Sequence, residues 1–191
     1  MRRMLLALAV SACLGAQPPK LGQRAPDEFG GKQHTLLLIE RGSCSSHSAQ
    51  VLNEAAGRLA NVETTLVVAH DAAAAAKYGD DCAAFLIDKE GSIRRVGRPG
   101  PQARDLVDFV DLWRIGKDNF DLACKRCHGV DGNLDDYPKI KKLGGIGNRL
   151  TPEEILSRIY PVELTRDEIT VRSHLFTRRE LDALIVYVSG L

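Results

Sequence analysis

Three uninterrupted runs of mainly apolar residues in the first half of the chain predict a β-sheet. They are residues 35–39, 64–69 and 83–87. Apolar runs of this length are typical of strands that are buried on both faces. A polar turn at residues 88–91 follows the third run, and residues 92–96 after it complete a hairpin.

Helical patterns separate the first two of these strands and follow the second. Residues 45–59 repeat apolar side chains at helical spacing, and Asp71 is placed to cap a short alanine-rich helix. Strand, helix, strand, helix and hairpin together predict an α/β layout with a mixed sheet.

Helical patterns dominate the second half. Residues 105–113 are amphipathic, and no flexible linker follows them. Thr151 and Thr177 each precede a glutamate by three residues, which is the capping-box pattern of a helix start. The apolar positions after both threonines predict helices with one buried face.

Length and charge limit the classes of protein to consider. The chain has 191 residues, enough for one domain or two small ones, and aromatic residues make up only 5% of it. The formal net charge is +1. A nucleic-acid-binding protein would show a strong basic excess, so nucleic acid is not an expected partner.

The first sixteen residues have the pattern of an export signal. Arg2 and Arg3 precede an apolar run at residues 4–10 and then small residues. The run is too short to span a bilayer as a helix. Two alternatives stay open: cleavage after Ala16, or a lipoprotein box that leaves Cys13 as a lipidated membrane anchor. Both predict a periplasmic or otherwise exported protein.

The most specific motif of the chain is Cys124-Lys125-Arg126-Cys127-His128. Cysteines separated by two residues and followed by histidine form the attachment signature of c-type haem. On one helical turn both thiols reach the haem vinyl groups, and the imidazole reaches the iron. A zinc site needs about four ligands, and the chain has no second paired cluster to supply the others. A redox dithiol is expected at the start of a βαβ unit, and this motif does not lie at one. The motif therefore predicts one covalent haem c, held by Cys124 and Cys127, with His128 as an iron ligand.

The residues around this motif resemble class I cytochromes c. Gly116, Lys117 and Phe120 precede it as in the first helix of that family, and Tyr187 occupies a family position in the last helix. The resemblance covers residues 113–191 and implies an all-α cytochrome c fold. It also implies that these two helices pack together, with the glycine and the two aromatic residues at their contact.

The chain departs from the family at the sixth iron ligand. The family uses a methionine, and the only methionines here are Met1 and Met4. The resemblance implies His174 instead, because it lies in the loop just before the last helix. A five-coordinate or water-bound iron is the alternative. The rival histidines lie in the first half of the chain, at positions 34, 47 and 70.

Residues 17–112 resemble the thioredoxin-like superfamily, nearest to peroxiredoxins and periplasmic thiol reductases. The matching positions are Gly22, residues 25–27, residues 42–44, residues 85–88 and Gly91. The resemblance implies an α/β thioredoxin-like sandwich.

The expected active-site motif is incomplete. The chain reads Cys44-Ser45-Ser46-His47, without a second cysteine, and the position of the family's cis-proline falls at Cys82. The resemblance leaves four alternatives: a nucleophilic Cys44, a Cys44–Cys82 disulfide, a copper site that includes His47, and a degenerate site. We favour a degenerate or structurally disulfide-bonded domain.

These patterns predict an exported protein of two domains. After the signal at residues 1–16, a thioredoxin-like domain at 17–112 would precede a cytochrome c domain at 113–191. The expected function is one-electron transfer through the haem to a redox partner protein, which makes the protein an electron carrier rather than an enzyme. One alternative is a thiol-disulfide or peroxide-linked oxidoreductase that uses Cys44, with the haem as electron relay. A haem-based sensor or a metal-delivery protein is a third class.

Overall fold

The computed structural model describes residues 19–26, 31–41, 47–80, 82–133, 142–159 and 176–191. Its strands are β1 (His34–Glu40), β2 (Thr64–Ala69), β3 (Cys82–Ile87) and β4 (Ile93–Gly97). Its helices are α1 (Ala49–Ala60), α2 (Ala72–Tyr78), α3 (Ala103–Ala123), α4 (Lys125–His128), α5 (Pro152–Ile159) and α6 (Arg178–Ser189), with a 3₁₀ turn at Ile146–Asn148. Among these described residues, no helix combines the length and apolar composition that a bilayer crossing needs.

The four strands form one mixed sheet in the order β2-β1-β3-β4. Strand β1 is parallel to β2 and antiparallel to β3, and β3 and β4 form a hairpin. The predicted mixed sheet and hairpin are therefore confirmed. Burial on both faces holds for β1 and β3 but is wrong for β2, which lies at the edge of the sheet and is largely half-exposed.

Capping side chains set the ends of the helices. Ser48 accepts a hydrogen bond from the backbone N–H of Val51, so α1 begins at Ala49. The predicted capping boxes at Thr151 and Thr177 are both confirmed, and each is closed by a glutamate three residues later.

The longest helix, α3, packs against both halves of the chain. Leu106 in its first turn and Phe120 near its end are both fully buried. Helix α3 packs against α1 and, more extensively, against α6. One buried cluster joins Leu36 of β1, Leu59 of α1 and Leu184 of α6 through α3.

This shared cluster corrects the predicted fold class. The prediction of a thioredoxin-like α/β sandwich followed by a separate all-α cytochrome c fold is wrong, because the helices of the second half and the sheet bury one common core. The predicted boundary between residues 112 and 113 lies inside α3. A hydrophobic pattern shows that a helix has a face to bury, but it does not show which partner covers that face.

A glycine allows α3 and α6 to approach closely. A Cβ atom on Gly116 would lie 2.0 Å from the carbonyl oxygen of Ala183 and 2.7 Å from Cβ of Tyr187. The rings of Phe120 and Tyr187 lie beside this contact, with centroids 5.3 Å apart. The contact expected from Gly116 and the two aromatic residues is therefore confirmed.

Polar contacts also connect the sheet to the C-terminal residues. Arg94 of β4 donates a hydrogen bond from Nη1 to the Gly190 carbonyl over 3.1 Å, and its Nε donates to Asp88. Asn148 donates from Nδ2 to the Leu21 carbonyl over 3.0 Å. These bonds hold the end of α6 and the 3₁₀ turn against the rest of the molecule.

Candidate functional site

The motif at residues 124–128 lies where α3 ends. The Cys124 N–H donates to the Phe120 carbonyl over 2.8 Å, which closes the last turn of α3. Helix α4 then makes a single turn, in which the N–H groups of Cys127 and His128 donate to the Cys124 carbonyl over 3.1 and 3.0 Å. Gly129 follows with φ of 80°, a conformation that favours glycine and turns the chain away. Two thiols and one imidazole are thus held within one turn.

The two cysteines of the motif are free thiols in the structure. Cys124 is half-buried and Cys127 is exposed. Burial, and secondarily the neighbouring Cys127, raise the pKa of the Cys124 thiol. Nucleophilic cysteines have a lowered pKa, so this environment does not favour a catalytic dithiol. Among the described residues, no three or more His, Cys, Asp or Glu side chains are grouped so that they could hold a metal ion.

Cys124, Cys127 and His128 line one side of a large cavity. Its volume is about 990 Å³, at the upper end of the usual range for small-molecule sites. The rest of its wall is largely apolar: Ala123, Leu143, Ile146, Leu150, Ile155, Ile159 and Val188. Most of this wall comes from the 3₁₀ turn, α5 and the segments that flank them.

The charged side chains of the cavity are all cationic. Lys142, Arg149 and Arg158 line it, and all three are exposed, whereas none of its described lining residues is Asp or Glu. Arg149 donates from Nη1 to the Gly144 carbonyl over 3.0 Å, which fixes its position at the edge. The cavity therefore suits an apolar molecule that carries negative groups. Sequence reasoning missed this edge, since its residues come from separate segments without a local motif.

One atom of the motif lacks a hydrogen-bond partner among the described residues. Nδ1 of His128 is buried and unpaired. Buried polar atoms are usually paired, so an unpaired one calls for an explanation such as a group that is bound there.

These residues fit a haem. Haem is a flat, largely apolar macrocycle with propionate groups, so it matches apolar walls with a cationic edge. The thiols and the imidazole that the motif supplies are the donors that a c-type haem needs.

The other predicted site residues do not meet at this cavity. His174, Cys44 and Cys13 lie outside the described residues, so their predicted roles stay predictions. Cys82 is disulfide-bonded, and the cysteine bonded to it lies outside the described residues. His34 packs edge-on against Trp113, with ring centroids 5.2 Å apart, and does not line the cavity.

His47 and His70 also lie away from the cavity. Nδ1 of His70 lies 3.0 Å from the Glu40 carbonyl oxygen, and the His47 ring contacts the Glu40 carboxylate. Both histidines therefore lie at the end of β1. Their common contact, Glu40, was not singled out from the sequence.

Comparisons of the sequence with protein-family models and with curated proteins, and of the fold with solved structures, find no match. The chemistry of the site therefore has to be argued from its own residues. The cysteine pair, the adjacent histidine and the cavity beside them carry that argument.

Proposed function

We propose that the protein is an exported c-type haem protein that transfers single electrons. The observation that carries this proposal is the position of Cys124, Cys127 and His128 on the wall of one large, apolar cavity with a cationic edge. The spacing of the motif supplies the attachment chemistry, and the cavity supplies the room.

Each part of the site has a distinct role in this proposal. The sulfur atoms of Cys124 and Cys127 would form thioethers, and His128 would bind the iron, which would supply one-electron chemistry. The apolar walls exclude water from the cavity. Arg149 and Arg158 would balance the negative charge of the propionates.

The partners and the location remain part of the same proposal. A redox partner protein would deliver or accept the electron, and no role for nucleic acid is expected. Export follows from the signal pattern at residues 1–16, and Cys13 remains the candidate for a lipid anchor. These residues lie outside the described part of the chain.

We expect haem to remain attached to the full chain after acid-acetone extraction when the protein is produced with a c-type maturation system. Thioether bonds survive this treatment, whereas a haem held only through the iron is extracted. The attached haem should also be reduced and reoxidised reversibly in a spectroscopic titration. Matched protein with Cys124→Ala and Cys127→Ala should lose its haem to the solvent. Extraction of haem from the wild type would refute covalent attachment.

The sixth iron ligand is predicted to be His174. The wild type should then be low-spin and lack the far-red iron–methionine band, while His174→Ala should become high-spin and bind added imidazole. Exchange of methionine for histidine also lowers the potential relative to the usual His/Met pair. Electron paramagnetic resonance and optical spectra decide the point. Spectra of the variant that match those of the wild type would contradict the assignment.

A further inference from the structure

Another cavity lies between β4, α5 and α6. Its volume is about 520 Å³, which is within the usual range for small-molecule sites. Its apolar wall consists of Leu21, Val96, Pro152, Leu156, Ile185 and Val186. Helix α5 contributes different residues to the two cavities, since Leu156 lines this one whereas Ile155 and Ile159 line the cavity beside the haem motif. The chain thus offers a second apolar site, which the proposed haem does not use.

One cation that lines this cavity has no acidic partner. Arg95 of β4 is half-buried, and burial lowers the pKa of its guanidinium to about 10. Its Cζ atom lies 4.0 Å from the centroid of the Phe109 ring, and Nη1 donates to the Phe109 carbonyl. Within the described part of the chain, no Asp or Glu forms an ion pair with it. The removal of a charge from water is costly unless an opposite charge balances it, and an aromatic ring offsets only part of this cost.

The other cations of the cavity are already paired. Arg94 donates from Nε to Asp88, and Arg178 donates from Nε to Asp182 over 3.4 Å. The remaining acidic side chain of the lining, Glu153, is exposed to solvent at the start of α5. Among the described lining residues, the guanidinium that packs on the aromatic ring is therefore the one positive charge that is left to balance.

We propose that this cavity binds a small apolar carboxylate, such as a medium-chain fatty acid, whose headgroup pairs with Arg95. The planar fork of a guanidinium matches the two oxygen atoms of a carboxylate. The apolar side chains of α5 and α6 cover the hydrocarbon part of the ligand, which a compact hydrated anion lacks. The proposal goes beyond electron transfer by the haem and does not depend on it, because the two cavities share no lining residue.

The test is a calorimetric titration of the full chain with decanoate, below the concentration at which decanoate forms micelles. 1-Decanol carries the same hydrocarbon chain without the charge, and acetate carries the charge without the chain. Decanoate should bind at least about tenfold more tightly than either, since the ion pair with Arg95 and the burial of the chain both contribute. Equal binding of decanoate and 1-decanol would overturn the proposal, and so would a failure of decanoate to bind.

Replacement of the cation should remove the preference for the carboxylate. Arg95→Met should bind decanoate at least about tenfold more weakly than the wild type does, with no loss of affinity for 1-decanol. Arg178→Met is the matched control, because it removes a cation of the same cavity that Asp182 already neutralises. It should weaken decanoate binding by about threefold at most. An equal loss in both variants, or none in Arg95→Met, would contradict the assigned headgroup site.

Two further measurements separate loss of the site from loss of the fold. By urea denaturation, Arg95→Met should be at least as stable as the wild type, because methionine still packs on Phe109 and no unpaired charge is left. Leu156→Trp fills the cavity from α5 and keeps Arg95, so this variant should not bind decanoate. Decanoate should accordingly raise the urea midpoint of the wild type but not that of Leu156→Trp. Undiminished binding by Leu156→Trp would place the carboxylate elsewhere and overturn the proposal.

Discussion

The His128→Ala variant should yield no stable haem-loaded protein, even when both cysteines and a maturation system are present. In the proposed site the bond from the imidazole to the iron would anchor the metal, and alanine offers no ligand in its place. We expect the haem absorbance per chain to fall to the background level of the double cysteine variant. The measurement is the ratio of haem to polypeptide after purification.

A second measurement shows whether the loss arises from the site or from the fold. Nδ1 of His128 has no partner among the described residues, so its removal breaks no hydrogen bond within that part of the chain. Urea denaturation of the haem-free variant should therefore give a free energy of unfolding within about 1 kcal/mol of the wild type. Arg126→Ala, on the same turn and exposed, should load haem normally. Full haem loading of His128→Ala would remove His128 from the site.

The Gly116→Ala variant should be strongly destabilised, although alanine is the better helix former. The added methyl group would lie 2.0 Å from the Ala183 carbonyl oxygen and 2.7 Å from Cβ of Tyr187. One is a backbone atom and the other is the first atom of a side chain, so neither can rotate away. Helices α3 and α6 would have to separate. We expect a loss of about 3 kcal/mol or more in the free energy of unfolding. This loss is a large fraction of the stability of a typical domain.

The same substitution at another helical glycine provides the control. A Cβ atom on Gly57 of α1 would meet no atom within 4 Å. Gly57→Ala should therefore stabilise the protein by about 0.5–1 kcal/mol, the usual gain of alanine over glycine in a helix. Urea denaturation of the full chain compares the two variants. Similar changes in both would show that α3 and α6 do not approach as closely as the structure indicates.

Local features of the fold could be predicted from the sequence because their causes are local. Thr151 and Thr177 cap their helices through side-chain bonds to residues three positions later, so the pattern and the structure agree. The hairpin after residue 87 follows from a turn of adjacent residues. The spacing of Cys124 and Cys127 likewise places both thiols on one turn.

The assembly of these elements could not be predicted in the same way. Leu106 and Phe120 both read as buried helical positions, but the sequence does not show that one helix carries them to both halves of a single core. The cationic edge of the cavity has the same origin, since Arg149 and Arg158 come to line the same cavity only after α5 has packed. The burial of Glu40 was not predicted, because an acidic residue at the end of an apolar run usually marks the point at which a strand returns to solvent.

The continuity of α3 bears on how the two halves of the molecule unfold. With 21 residues, α3 is about 31 Å long. Leu106 near its start and Phe120 near its end are both fully buried in one cluster, so neither half keeps its core if this helix melts. The sheet and the C-terminal helices should therefore unfold in one cooperative transition rather than as two separate units.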